Sequence, residues 1–216
     1  MSKAKTMAAR PRPPADLVEL TGRNIFVPAP ELWEWIADAY IDEIGYLFTP
    51  EHAHLLNAEV GCLWTNAENS RHGRRIVGMA EKLPGPPIGG KWGRARADFQ
   101  LTQWFADIPD FLLTFDGLYA EGVGDAEFCA LVDHELYHCA QAEDEFGMPK
   151  FNKITGDPSW AIHGHDVEEF VGVVRRFGIE AAGCTAVDFV MAAAQKPEIG
   201  PASVAHACGT CIRLAA

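Results

Sequence analysis

Leu131-Val132-Asp133-His134-Glu135-Leu136-Tyr137-His138-Cys139 carries the pattern His-Glu-x-x-His at its centre, and the fold is read outward from it. On an α-helix, residues i and i+4 stand one above the other on one face. His134 and His138 can therefore offer two imidazoles to a single metal ion. Glu135 sits at the edge of that face, beside the place of a metal-bound water. A zinc hydrolase needs neutral nitrogen ligands, an open coordination position and a carboxylate that takes a proton from water. Without a metal, the same residues are a solvated helix face with two ordinary histidines.

The flanks predict the helix. Gly124-Asp125 supplies a turn and an N-cap, and Glu127 suits the positive end of the helix dipole. Phe128, Leu131, Val132, Glu135 and Cys139 then recur on one side, with Glu135 facing a cavity rather than the core. Gly147-Met148-Pro149 predicts where the helix stops.

A chain of 216 residues with 48% hydrophobic residues is large enough for one sizeable core. No apolar run is long enough to span a membrane, and no secretory signal is read at the start. Residues 1–15, basic and rich in proline, predict a disordered tail; 16–200 predict the domain, and 201–216 a Cys-x-x-Cys tail. The net charge of −12 argues against nucleic-acid binding over the whole surface. The basic run from Arg71 to Arg96, broken only by Glu81, leaves a local nucleic-acid patch open beside the reading of a solvated loop. Six cysteines without an export signal predict reduced thiols and a location in the cytoplasm.

Along the chain, 31–48 predicts a helix from Leu32, Trp35, Ile36, Tyr40, Ile44 and Leu47 at helical spacing. His52 and His54 point to separate faces and read as surface or half-buried rather than as ligands. Three strands are expected, at 58–65, 75–82 and 110–119, with a Pro- and Gly-rich loop at 83–93 and a helix at 95–106. Asp166-x-x-Glu169 predicts a capping box for a further helix, with Gly178 after its end.

Two histidines hold zinc poorly, and a hydrolytic site usually has three protein ligands and a water. His165 is the preferred third ligand: it lies just before the capped helix, and Gly164 lets the backbone come close. His163 and Glu168 are the alternatives, His163 also as a hydrogen-bond donor to a tetrahedral intermediate. Cys208-Gly209-Thr210-Cys211 reads as plain thiols, as half of a second metal site, or as a redox dithiol without the βαβ setting that would support one.

His134-Glu135-Leu136-Tyr137-His138 followed by His165-Asp166-Val167-Glu168-Glu169-Phe170 resembles the putative phage metallopeptidases, a zincin-like family. A more distant resemblance is to the SprT-like metallopeptidases, in which a glycine follows the third histidine, whereas here Gly164 precedes His165. The resemblance implies an α+β zincin-like domain, with a small sheet of about three strands packed on the metal helix and flanking helices. It also implies bound Zn2+, intracellular peptidase activity and a phage or prophage origin. Zinc on His134, His138 and His165 would activate a water, with Glu135 as general base, to hydrolyse a peptide or protein substrate. Phe111–Tyr119 would hold the extended substrate by its edge, with Tyr119 and Trp160 as possible pocket walls. The alternative is a metal-stabilised phage protein that binds or regulates without turnover.

Overall fold

The computed structural model describes residues 9–18, 22–71, 74–86, 89–167, 174, 178–179, 184–200, 202 and 208. They fall into two compact units, Met1–His163 with Ser203–Ala216, and Gly164–Ala202. In the first unit the described strands are β1 (Phe26–Pro28), β2 (Val60–Thr65), β3 (Asn69–Arg71), β4 (Arg74–Ile76), β5 (Gly78–Lys82), β6 (Phe111–Asp116), β7 (Cys139–Gln141) and β8 (Trp160–Ile162). Its α-helices are α1 (Ala15–Val18), α2 (Pro30–Ile36), α3 (Gly90–Phe105), α4 (Gly117–Gly122) and α5 (Asp125–His138). The second unit contains α6 (Cys184–Ala193). Among the described residues, no helix is long and apolar enough to cross a membrane.

The main sheet has four strands in the order β1-β2-β6-β5, one more than expected. Pro28 is tolerated in the short β1 because β1 is an edge. β2 and β6 run parallel in the middle, with Val60 opposite Phe111 and Thr65 opposite Asp116. Both are buried on their two faces, so they read as apolar runs rather than alternations. β5 runs antiparallel to β6 and forms the other edge. β6 thus has a neighbour on each side, and the expectation that Phe111–Tyr119 offers a substrate-binding edge is corrected: that edge belongs to β5.

The two faces of the sheet are covered separately. α3 lies over Leu63 and Leu112 through Leu101, Trp104 and Phe105. The opposite face packs Trp64, Phe111, Leu113 and Phe115 with Phe128, Leu131, Val132 and Leu136 of α5 and with Leu32 and Ile36 of α2. Each of those four α5 side chains is fully buried, which stabilises the helix by about 1.5–3 kcal/mol apiece.

Several boundaries differ from the sequence reading. The helix expected at 31–48 is α2 followed by a π turn at Ala37–Ile41. There the chain doubles back, with Leu47 donating to the Ala39 carbonyl at 3.0 Å. Gly45 permits this, since a Cβ on it would stand 2.4 Å from that carbonyl. The strand expected at 75–82 divides between β4, which pairs with β3, and β5. α3 begins at Gly90, inside the expected loop. The strand expected at 110–119 ends at Asp116, whose side chain accepts from the Tyr119 amide at 3.0 Å and starts α4. Within 9–14, expected to belong to a disordered tail, Arg10 and Pro13 are buried: Arg10 is 4% exposed and donates to Asp125 Oδ1 and to the Val123 carbonyl, each at 2.7 Å.

α5 stops at His138, not near Gly147-Met148-Pro149. Cys139 is extended (φ −85°, ψ 93°) and opens β7, which pairs with β8. Ladder bonds to Trp160–Ile162 take the place of further helical turns, a competition that local sequence does not display.

Candidate metal centre

α5 carries the pattern on its last turns. His134 and His138 stand one turn apart, with Nε2 atoms 3.3 Å apart and ring planes at 81°. His138 Nδ1 donates to the His163 carbonyl at 2.7 Å. A carbonyl only accepts, so Nδ1 carries a proton and Nε2 is the ring nitrogen that faces His134. Metal-binding histidines are commonly oriented in this way. The bond follows from the early end of α5, because β7 and β8 place His163 beside His138; the His163 amide in turn donates to the His138 carbonyl at 3.0 Å.

A third donor comes from the far end of the chain. Cys208 Sγ lies 3.3 Å from His138 Nε2, and the donor atoms of His134, His138 and Cys208 are all within 4.8 Å of one another. The Cys208 backbone forms a parallel bridge with Gly78 at the start of β5. Two imidazoles and a thiolate suit a borderline-soft ion such as zinc and not a hard one. Metal–nitrogen bonds of about 2.0–2.1 Å and a metal–sulfur bond of about 2.3 Å in a tetrahedron separate the donors by roughly 3.3–3.6 Å. The His134–His138 and His138–Cys208 separations, both 3.3 Å, fit that geometry.

Glu135, between the histidines in sequence, is fully buried. Burial first, and the neighbouring Cys208 second, push its carboxyl up to about 8, while the two histidines pull the other way. Its approach to the sheet depends on Gly78, because a Cβ there would stand 3.0 Å from Glu135 Oε1.

Other polar groups brace the helix. His52, expected at the surface or half-buried, is 1% exposed and meets Asp133 Oδ1 through Nε2 at 2.8 Å. Its ring packs edge-on against Tyr137 at 4.6 Å, and Tyr137 donates through its hydroxyl to Glu51. His54 Nε2 meets the Cys139 carbonyl at 2.7 Å, just past the end of α5. Both histidines thus support the helix and its end.

The remaining expected residues are distributed as follows. His163 has an exposed side chain and serves His138 through its backbone. His165 is exposed and belongs to the second unit. Glu168 and Cys211 lie outside the described residues. Trp160 packs edge-to-face on Phe111 at 5.6 Å, and Tyr119 is packed against the core. Within the basic run, Arg75 is paired with Asp116 and Arg94 with Asp98, each at 2.7 Å. The part missed in the sequence is the meeting of Cys208 with the helix: Cys-x-x-Cys was visible, but nothing in it named its partners.

Comparison with known proteins gave one match. The family described as putative phage metallopeptidase matches residues 33–195, more than half of the chain. The matched region contains His134, Glu135, His138 and His165 and ends before Cys208. No curated protein and no solved structure matched. With a match of that extent spanning the metal helix, the chain belongs to the putative phage metallopeptidase family.

Proposed function

We propose that the protein is a zinc-dependent peptidase that hydrolyses peptide bonds, with Glu135 as the general base. The observation that carries this reading is the placement of His134, Glu135 and His138 on the last turns of α5, with His138 oriented by the His163 carbonyl. Zinc, when bound, acidifies water and polarises a carbonyl, the two effects that peptide hydrolysis at neutral pH requires. His134 and His138 would hold it. The family match gives the peptidase reading and the phage setting their support.

Glu135 would take the proton of the attacking water and return it to the leaving amine. Its carboxylate is held against Gly78, so the base is fixed relative to the edge strand. An extended peptide added to β5 beyond Gly78, whose backbone is bridged to Cys208, would be held by main-chain bonds that demand little of its side chains. His165, just before the second unit's expected helix, remains the sequence's proposal for a further ligand. The buried thiols of Cys62, Cys129 and Cys139, none in a disulfide, suit a reducing host cytoplasm.

A second reading is a metal-stabilised binding protein without turnover. The Cys208 thiol beside the two imidazoles favours it, because cysteine donors are typical of structural zinc sites. The two readings part on one experiment. Zinc-loaded protein is incubated with a peptide library and cleavage is mapped by mass spectrometry, for wild type and for Glu135→Gln. The peptidase reading expects cleavage by wild type and a loss of about 100-fold or more in the variant, with zinc retained. Equal cleavage by the two proteins, or none by either, rejects it.

A further inference from the structure

We propose that Cys208 is a metal donor in this centre, so that the site is held by His134, His138 and a thiolate delivered from the C-terminal segment. The inference rests on the metal centre of the preceding section but not on turnover. Three independent observations meet on Cys208. Its Sγ is 3.3 Å from the one nitrogen of His138 that the His163 carbonyl does not engage. The three donor atoms lie within 4.8 Å of one another, close enough for one ion. The residue is 6% exposed and is fixed by backbone pairing with Gly78, on the strand that also abuts Glu135.

A buried cysteine often serves only as a small apolar filler. Here its surroundings are two imidazoles and a carboxylate, so simple packing explains the placement poorly. On binding, the Cys208 S–H bond breaks, its proton passes to solvent and a sulfur–metal bond forms. The helix supplies its two nitrogens from one turn, and the third donor arrives only when residue 208 is laid on β5. Metal binding therefore joins residue 208 to the sheet and helix, and the site is complete only in the folded unit.

Cobalt(II) reports the ligand directly, because a thiolate on cobalt gives an intense near-ultraviolet charge-transfer absorption that imidazoles do not. Full-length protein, freed of metal and kept reduced, is titrated with cobalt as wild type, Cys208→Ser, Cys208→His and His134→Ala. Wild type should bind with the charge-transfer band. Cys208→Ser should lose the band and bind about tenfold or more weakly. Cys208→His, which keeps a nitrogen donor, should bind cobalt without the band and shows that a loss in the serine variant is not misfolding. His134→Ala should lose the band, which ties the thiolate to this centre. Cobalt bound by wild type without the band, or a band that survives Cys208→Ser, overturns the assignment of Cys208. Absence of cobalt binding by wild type overturns the whole centre with it. Failure of the peptide-cleavage experiment alone rejects the peptidase reading and leaves Cys208 as a donor.

Discussion

Gly78 and Glu135 are in contact across the interface between β5 and α5: a Cβ on Gly78 would stand 3.0 Å from Glu135 Oε1 and 2.8 Å from Leu131 Cδ1. Leu131 is fully buried and has no room to withdraw. Gly78→Ala should therefore push the helix from the sheet and destabilise the protein by about 1–3 kcal/mol. Urea unfolding of wild type and variant measures it. The same substitution should weaken zinc binding, because Gly78 also pairs with Cys208.

Metal removal should lower stability. The donors come from the end of α5 and from residue 208, so an ion that binds them all favours the folded chain. At a free zinc concentration of 100 times the dissociation constant the gain is about 2.7 kcal/mol. Thermal unfolding should shift down on chelation and return on adding zinc back. An unchanged Tm would mean that the folded state binds no metal selectively.

Arg10→Ala should destabilise the protein by about 1–3 kcal/mol through the buried guanidinium. That group donates to the Val123 carbonyl and lies 4.5 Å from the centre of the Phe128 ring. Its bond to Asp125 adds only a small, screened part, since the carboxylate is 52% exposed. The hydrogen bond from Arg10 holds the Asp125 carboxyl below its ordinary value. That part of the stability is present above the unfolded-state pKa and fades as pH falls through the lowered folded value. The difference between wild type and variant should accordingly narrow slightly in acid below about pH 4 without vanishing, as unfolding curves at neutral and acid pH will show.

His52→Ala should lower stability by about 1–3 kcal/mol while leaving the metal content unchanged. The ring is buried against Tyr137 and bonded to Asp133, next to His134 but outside the donor cluster. Metal analysis beside thermal unfolding separates the two effects. Loss of the metal with the fold intact would make His52 part of the centre.

Much of the central architecture was legible because short-range rules govern it. The i, i+4 spacing put His134 and His138 on one face, and the recurrence of Phe128, Leu131 and Val132 marked the side that enters the core. The apolar runs at β2 and β6 marked strands, but not that β6 lies inside the sheet. Boundaries failed where a distant segment competed for backbone bonds. Cys139 leaves the helix to pair with β8, and Asp116 ends β6 by capping α4. His52 looked like a surface residue because its partner, Asp133, is 81 positions away.

The sequence by itself determined the helix that carries His134, Glu135 and His138, the existence of β2 and β6 and the likeness to a phage metallopeptidase family, since each is written in local spacing and residue type. Only the tertiary structure decided which strand is the open edge, how His138 is oriented by His163, and that Cys208 stands beside the two imidazoles. The physical reason is range. Helical periodicity acts over a few residues, whereas Cys208 and His138 are 70 positions apart, and only sheet pairing at Gly78 brings them together.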